Sequence, residues 1–269
     1  MAIRDILVHL DGTANSRARL DLAIGLARRH GARLTGIYVI THQYYQPEEA
    51  RANREAAELG ADFESRAGQA GIESTWLAVD WAVIGVTVTE VLSHYTHYAD
   101  LVVVGQSCSE SEKAGIPADL PERLVMGAGR PVLVVPFAGA FHTVGERVLV
   151  AWKPGRESTR AVNDALPILK KARQVKLLGV NASGSYGDDE SLYVNIRDHL
   201  ERHGVSAGIE RVTADDISVG DMLLNRACEE GADLLVMGAF AHTPQGTLVL
   251  GAVARHLLKH MTVPVLLSH

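Results

Sequence analysis

The chain of 269 residues has only two cysteines, Cys108 and Cys228, and they lack the close spacing of metal-ligand pairs. It has no basic run, a net charge of −6 and a pI near 6.0, which excludes strong nonspecific attraction to nucleic acid. No stretch approaches the ~18 uninterrupted apolar residues of a membrane span. The opening MAIRDILVHLDG lacks the apolar core of a secretory signal. These absences lead us to expect a reduced, cytoplasmic protein with neither nucleic acid nor membrane as partner. Catalytic signatures are missing too. There is no P-loop and no HExxH, and no spacing of Ser, His and Asp matches a nucleophile elbow. No catalytic residue is assigned, and an enzyme is not expected. Two histidine pairs, His199/His203 and His256/His260, have the i, i+4 spacing of helical zinc ligands. Neither has a third ligand in sight, so they read as helix-surface residues and no metal is expected.

What the chain does have is a duplication. Ala232–Gly238 reads ADLLVMG and Ala99–Gly105 reads ADLVVVG. Asp100 and Asp233 are 133 positions apart (233 − 100), and so are Gly105 and Gly238, Pro131 and Pro264, Gly71 and Gly204. A repeat of this length is one domain written twice. The boundaries are set at 1–137 and 146–269, with Pro136–Glu146 as linker. Near the start of each copy the offset is 142, which pairs Asp11 with Lys153. The nine-residue difference (142 − 133) is assigned to the segment between the second strand and the end of the second helix.

Each copy alternates strand and helix. Apolar runs set strands at Ile3–His9, Arg33–Ile40, Glu73–Val79, Leu101–Val104 and Val132–Val135. Leu20, Ala23, Ile24 and Ala27 stripe the first helix, and Gly31 ends it. Further helices are expected from Glu48 to about Ala70, around Val88–Tyr95, and over roughly Asp119–Ala128. In the second copy Pro167 predicts a kink or early stop in the first helix, and Ile217–Glu230 reads as the third helix. The stretch 239–250, with Thr243, Pro244, Gly246 and Thr247, reads as a loop leading to a helix that opens at Gly251. This alternation predicts an α/β fold with two tandem doubly wound parallel sheets. Ligands then sit at the carboxyl ends of the strands. That brings Asp11 to Gly105 and Lys153 to Gly238. A helix N-terminus beside them is a ready cradle for phosphate.

The segments Ile6–Gly12 (ILVHLDG), Val148–Trp152 (VLVAW), the two ADL strands and the two PVL endings resemble the universal stress protein family, over nearly the whole chain. The resemblance implies five strands per domain in the order 3-2-1-4-5, like adenine nucleotide alpha hydrolases. It also implies last strands pairing across a pseudo-two-fold. It implies a stress-response regulator or ligand sensor, built as a pseudo-dimer within the chain, with a further homodimer left open. Family members divide into binders and non-binders of ATP. The binders resemble a pattern of Gly, two residues, Gly, nine residues, Gly, then Ser or Thr. Here the second copy keeps Gly238 and Gly251 but has Ala241 and Ala252 at the other two positions. The first copy keeps Gly105 but has Cys108, Ala118 and Asp119. Asp119 reads as a helix N-cap that repels phosphate. The candidate ligand is therefore ATP or another adenine nucleotide, with Mg²⁺ only as its companion, held in the second domain. Gly238, Gly251 and the N–H groups of Ala252 and Val253 would hold phosphates there, Ala151, Lys153 and Val180 would flank the base, and Met237 and Ala241 complete the candidate set. Their first-copy counterparts are Asp11, Val39 and Gly105. Two alternatives stand beside this reading. One is an interaction or oligomerisation module without nucleotide, and the other is a weak nucleotide hydrolase.

Overall fold

The computed structural model describes residues 2–40, 49–80, 87–182, 190–242 and 248–268. The chain divides into two units, Ala2–His142 and Thr143–His269. The first runs β1 (Asp5–His9), α1 (Ser16–His30), β2 (Arg33–Ile40), α2 (Glu49–Gln69), β3 (Ser74–Asp80), α3 (Val88–Thr96), β4 (Leu101–Gly105), α4 (Ser109–Lys113), α5 (Leu120–Gly127) and β5 (Val132–Val135). The second runs β6 (Arg147–Ala151), α6 (Arg156–Leu169), β7 (Gln174–Ala182), α7 (Glu190–Arg202), β8 (Ala207–Ala214), α8 (Val219–Glu229), β9 (Leu234–Gly238), β10 (Phe240–His242), β11 (Leu248–Leu250), α9 (Ala252–His260) and β12 (Val265–Ser268). No described helix is long and apolar enough to cross a membrane.

Within the first unit the strands lie in the order β3-β2-β1-β4-β5, and within the second β8-β7-β6-β9-β12. All of these neighbours are parallel. Each unit is thus the expected 3-2-1-4-5 sheet. In the first unit α1 and α2 pack together over the strands, and α3 packs with α5. Central strands buried from both sides need apolar residues at every position. Val102, Val103 and Val104 of β4 and Leu234, Leu235 and Val236 of β9 meet that need, each 2 % exposed or less.

The repeated aspartates have a structural task. Asp100 accepts the backbone N–H groups of Arg4 at 2.8 Å and Asp5 at 3.2 Å. Asp233 does the same for Glu146 at 3.1 Å and Arg147 at 2.9 Å. In each unit the residue before the fourth strand therefore pins the start of the first. Helix ends follow local chemistry. Gly31 closes α1 in the left-handed region at φ 61°. Thr87 and Glu90 cap α3 reciprocally, Thr87 Oγ1 accepting from Glu90 N at 3.3 Å and Glu90 Oε2 from Thr87 N at 2.7 Å.

Several expectations need correction. The stretch 239–250 is not all loop, because β10 and β11 form an antiparallel ribbon with Ala241 opposite Val249. The expected turn formers Thr243, Pro244, Gly246 and Thr247 lie outside the described residues. Between β4 and α5, where no helix is expected, Ser109–Lys113 forms the short helix α4. Pro167 does not stop α6, which runs on to Leu169. Ile168 and Leu169 are each 1 % exposed, so burial holds the last turn despite the missing N–H. Registers also move one residue of the length difference ahead of the second strand. His9 pairs with Ile37 and Ala151 with Leu178, so the offset there is already 141 (178 − 37).

Candidate functional site

The carboxyl ends of β6, β7 and β9 open onto a cleft of about 390 Å³. Ala151, Leu178, Val180 and Met237 contribute an apolar lining, with Trp152 and Lys153 from the loop after β6. Two helix N-termini border it. Gly155, Glu157 and Ser158 belong to the start of α6, and Gly251, Ala252 and Val253 to the start of α9. Both N-cap residues are glycines, and neither helix has a side-chain cap. The first backbone N–H groups of such a helix lack intrahelical partners and carry partial positive charge. Lys153 is exposed and has no hydrogen-bond or ion-pair partner among the described residues. Trp152 is 7 % exposed, and its indole Nε1 has no acceptor among the described residues. The cleft thus combines donors, at two helix N-termini, the Trp152 indole and Lys153, with one carboxylate, that of Glu157 at the start of α6.

Eight residues read as ligand contacts from sequence do line this cleft: Ala151, Lys153, Val180 and Met237, with Gly238, Gly251, Ala252 and Val253. Ala241 belongs to β10, and its side chain lies outside the described residues. Gly238 has a packing reason of its own. A Cβ there would sit 2.6 Å from the Glu157 carbonyl carbon and 2.8 Å from Ser158 N, so the glycine lets α6 lie directly on β9. Gly251 is less constrained, with the nearest atom to an added Cβ at 3.4 Å. Sequence reasoning did not mark Ser158, Leu223 or Phe240, which also line the cleft. The 142 offset relates Ser158 to Ser16, the first residue of α1.

At the matching place in the first unit only about 10 Å³ is left. Arg19 of α1 turns inward and fills it. Its side chain is 4 % exposed and its Nη2 lies 2.8 Å from Asp11 Oδ2. Ser16 Oγ accepts from Arg19 Nη2 at 3.1 Å and from Asp11 N at 2.9 Å. The Thr13 hydroxyl donates to Asp11 Oδ1. Burial opposes the Asp11 charge, but the Arg19 guanidinium, His9 and the Thr13 hydroxyl outweigh it and hold the carboxyl far below its usual range. His9 is 2 % exposed, and burial chiefly lowers its pKa to about 4, so it is neutral near pH 7. Gly105, read as a phosphate contact, instead makes room for the arginine, since a Cβ there would sit 2.0 Å from Arg19 Nη1. Asp11 faces its own guanidinium, and Val39 is 6 % exposed.

The contrast between the units comes down to three aligned positions. His9, Asp11 and Arg19 of the first unit correspond, at the 142 offset, to Ala151, Lys153 and Ala161 of the second. Two large side chains become alanine, which empties the space. The carboxylate becomes an ammonium. The two helices share most of their buried stripe at this offset, Leu20, Ala23, Leu26 and Ala27 matching Val162, Ala165, Ile168 and Leu169, all buried.

Other candidate groups resolve differently. Asp119 stands at the N-cap of α5 but makes no capping hydrogen bond. It accepts from Arg123 Nε at 2.6 Å instead, an exposed i, i+4 pair. Cys228 is exposed, one position past the buried stripe of Leu223 and Ala227. Cys108 is half-buried, and its backbone N–H donates to Ser111 Oγ at 2.9 Å. His256 Nε2 lies 2.8 Å from Asp221 Oδ1. Among the described residues no group of three potential metal ligands assembles.

Comparison with known proteins agrees with the architecture. A universal stress protein from Archaeoglobus fulgidus DSM 4304 has a similar structure, with a TM-score of 0.75 at 16% identity over 98% of this chain and 97% of its own. A putative universal stress protein from Pseudomonas aeruginosa UCBPP-PA14 follows at 0.60 and 18%, over 99% and 93%. At such identities the likeness concerns the fold alone. No curated protein matches the chain. The sequence profile of the universal stress protein family, however, matches twice, at residues 2–136 and 145–269. With both halves of the duplication matched and the 3-2-1-4-5 order in each unit, the chain belongs to the universal stress protein family as a tandem two-domain member.

Proposed function

We propose that the second unit binds an adenine nucleotide and that the chain acts as a ligand sensor in the stress response. The observation that carries this reading is the pair of helix N-termini, α6 and α9, opening without side-chain caps on one cleft. Phosphate oxygens satisfy such N–H groups and the local dipoles favour their charge. The apolar lining of Ala151, Leu178, Val180 and Met237 suits the flat face of a base. At about 390 Å³ the cleft lies within the range of small-molecule sites. Ala252 removes one hydroxyl but leaves its backbone N–H in place. The first unit, filled by Arg19, has no such role. We read the site as binding rather than catalytic and the protein as cytoplasmic. Mg²⁺ enters only with a polyphosphate.

The test is native mass spectrometry of protein purified without added nucleotide, then thermal shift with ATP and Mg²⁺. A ligand at about one hundred times its Kd stabilises by about 2.7 kcal/mol. We expect a co-purifying adenine nucleotide or a stabilisation of that order, abolished by Gly251→Asp, which sets a carboxylate against phosphate. No bound mass and no shift would sink the nucleotide reading and leave the interaction module. Turnover above blank that disappears in the same variant would favour a weak hydrolase.

A further inference from the structure

We infer that Cys108 of the first unit is a site of oxidation by small hydroperoxides, and that the oxygen it gains is received by the cavity after β1 and β4. The inference is independent of what the second unit binds. Cys108 follows β4, is half-buried, and lines that cavity together with His9, Asp11 and Arg19. The cavity measures about 10 Å³, room on the order of one water-sized oxygen. Two nitrogens of its lining residues, Arg19 Nε and His9 Nδ1, are buried without a partner among the described residues. The residues that carry them are 3 % and 2 % exposed. A buried polar group left unpaired keeps its desolvation penalty, and an oxygen placed beside it removes that penalty. Arg19 Nε–H is a donor and never an acceptor. The carboxylate in the lining, Asp11, does not oppose this, because Arg19 Nη2 at 2.8 Å and Thr13 N at 3.1 Å already hold it. Glu110 and Glu112 of α4 are exposed and lie outside the lining.

The turn that carries the sulfur is fixed. Cys108 N donates to Ser111 Oγ at 2.9 Å, and that hydroxyl lies 2.7 Å from Cys108 O and 3.5 Å from Cys108 Sγ. Gly105, three residues before the cysteine, lets the guanidinium of Arg19 lie against the end of β4. In the reaction the sulfur, as thiolate, attacks one oxygen of the hydroperoxide. The S–O bond forms as the O–O bond breaks, and the departing oxygen takes up the thiol proton to leave as water or an alcohol. The sulfur is oxidised to the sulfenic acid and the peroxide is reduced. Cys228 provides the contrast, since it is exposed on α8 and lines neither this cavity nor the cleft of the second unit.

The test treats the reduced full chain with hydrogen peroxide, traps sulfenic acid with dimedone, and follows each cysteine peptide by mass spectrometry. Cys108 should label about tenfold faster than Cys228, the factor of one charge-assisted contact to the transferred oxygen. A bulky aromatic disulfide reagent, which reads exposure, should rank the two thiols the other way. Cys228→Ser should leave the labelling of Cys108 unchanged, and Cys108→Ser should abolish the fast phase. If peroxide and the bulky reagent rank the thiols alike, exposure alone sets their reactivity and the inference is overturned. Dimedone label confined to Cys228, or absent from both cysteines, overturns it as well.

Discussion

Replacing Arg19 by alanine should destabilise the first unit severely, and in a pH-dependent way. The guanidinium and the Asp11 carboxylate are 4 % and 5 % exposed and 2.8 Å apart. Without Arg19 the carboxylate keeps, among the described residues, the Thr13 hydroxyl and the Thr13 N–H at 3.1 Å. Removing one member of a buried pair costs about 3–5 kcal/mol, because the other charge stays behind uncompensated. That is a large part of the ~5–15 kcal/mol that holds a domain folded, and it corresponds to a fall in melting temperature of roughly 10 °C. The sign of the pH effect follows from Asp11. In the wild type its folded pKa is depressed, so its stabilisation is complete above the unfolded value near ~4 and is lost only as pH falls through the folded value. In the variant burial is the dominant influence left and pushes the carboxyl up. The folded state then takes up a proton that the unfolded chain does not, so the deficit grows as pH rises from about 4 toward the folded pKa. Urea unfolding of both proteins at pH 7 and pH 5, followed by circular dichroism, reads the difference directly. Arg19→Met combined with Asp11→Leu should recover most of the loss, since apolar replacement of a whole buried pair is often neutral or better. A loss below about 1 kcal/mol for Arg19→Ala, equal at both pH values, would refute the buried pair.

Three further outcomes are expected. His9 has a folded pKa of about 4 against 6.5 unfolded, so wild-type stability should fall by about 3 kcal/mol as pH drops through that window, and His9→Leu should flatten this part of the profile. Gly238→Ala forces a Cβ to 2.6 Å from the α6 backbone and should cost about 1–3 kcal/mol in urea unfolding, whereas Gly251→Ala, with its nearest neighbour at 3.4 Å, should be close to neutral; similar losses for both would contradict the packing. Thr87→Ala removes the reciprocal cap of α3 and should cost about 1 kcal/mol, while Asp119→Ala loses only an exposed pair and should cost less than about 0.5 kcal/mol; the opposite order in thermal melts would restore Asp119 as a true cap.

The strands were legible because a parallel strand buried on both faces must be apolar throughout, as LVVVG and LLVMG are. Arg33–Ile40 and Val132–Val135 emerge residue for residue. The cleft was legible through the duplication, since aligned glycines and strand ends sit where doubly wound sheets bind ligands. Arg19 was not. A lone arginine on an amphipathic helix reads as solvent-facing, and only Asp11, brought up by β1, makes its burial favourable. Nor was the β10–β11 ribbon, whose strands of three residues are too short to give a periodic signal. The offset nevertheless held the key to the difference between the units. It places Ala161 opposite Arg19 and Lys153 opposite Asp11, and both changes point one way. Loss of the arginine alone would have left a buried carboxylate without its partner, a large penalty. Reversal of the carboxylate alone would have set two cations together in a dry pocket. Made together they leave an open cleft whose lining carries both Lys153 and Glu157. The same fold thus becomes, in one copy, a structure closed around its own ion pair and, in the other, an open cleft at the ends of the corresponding strands.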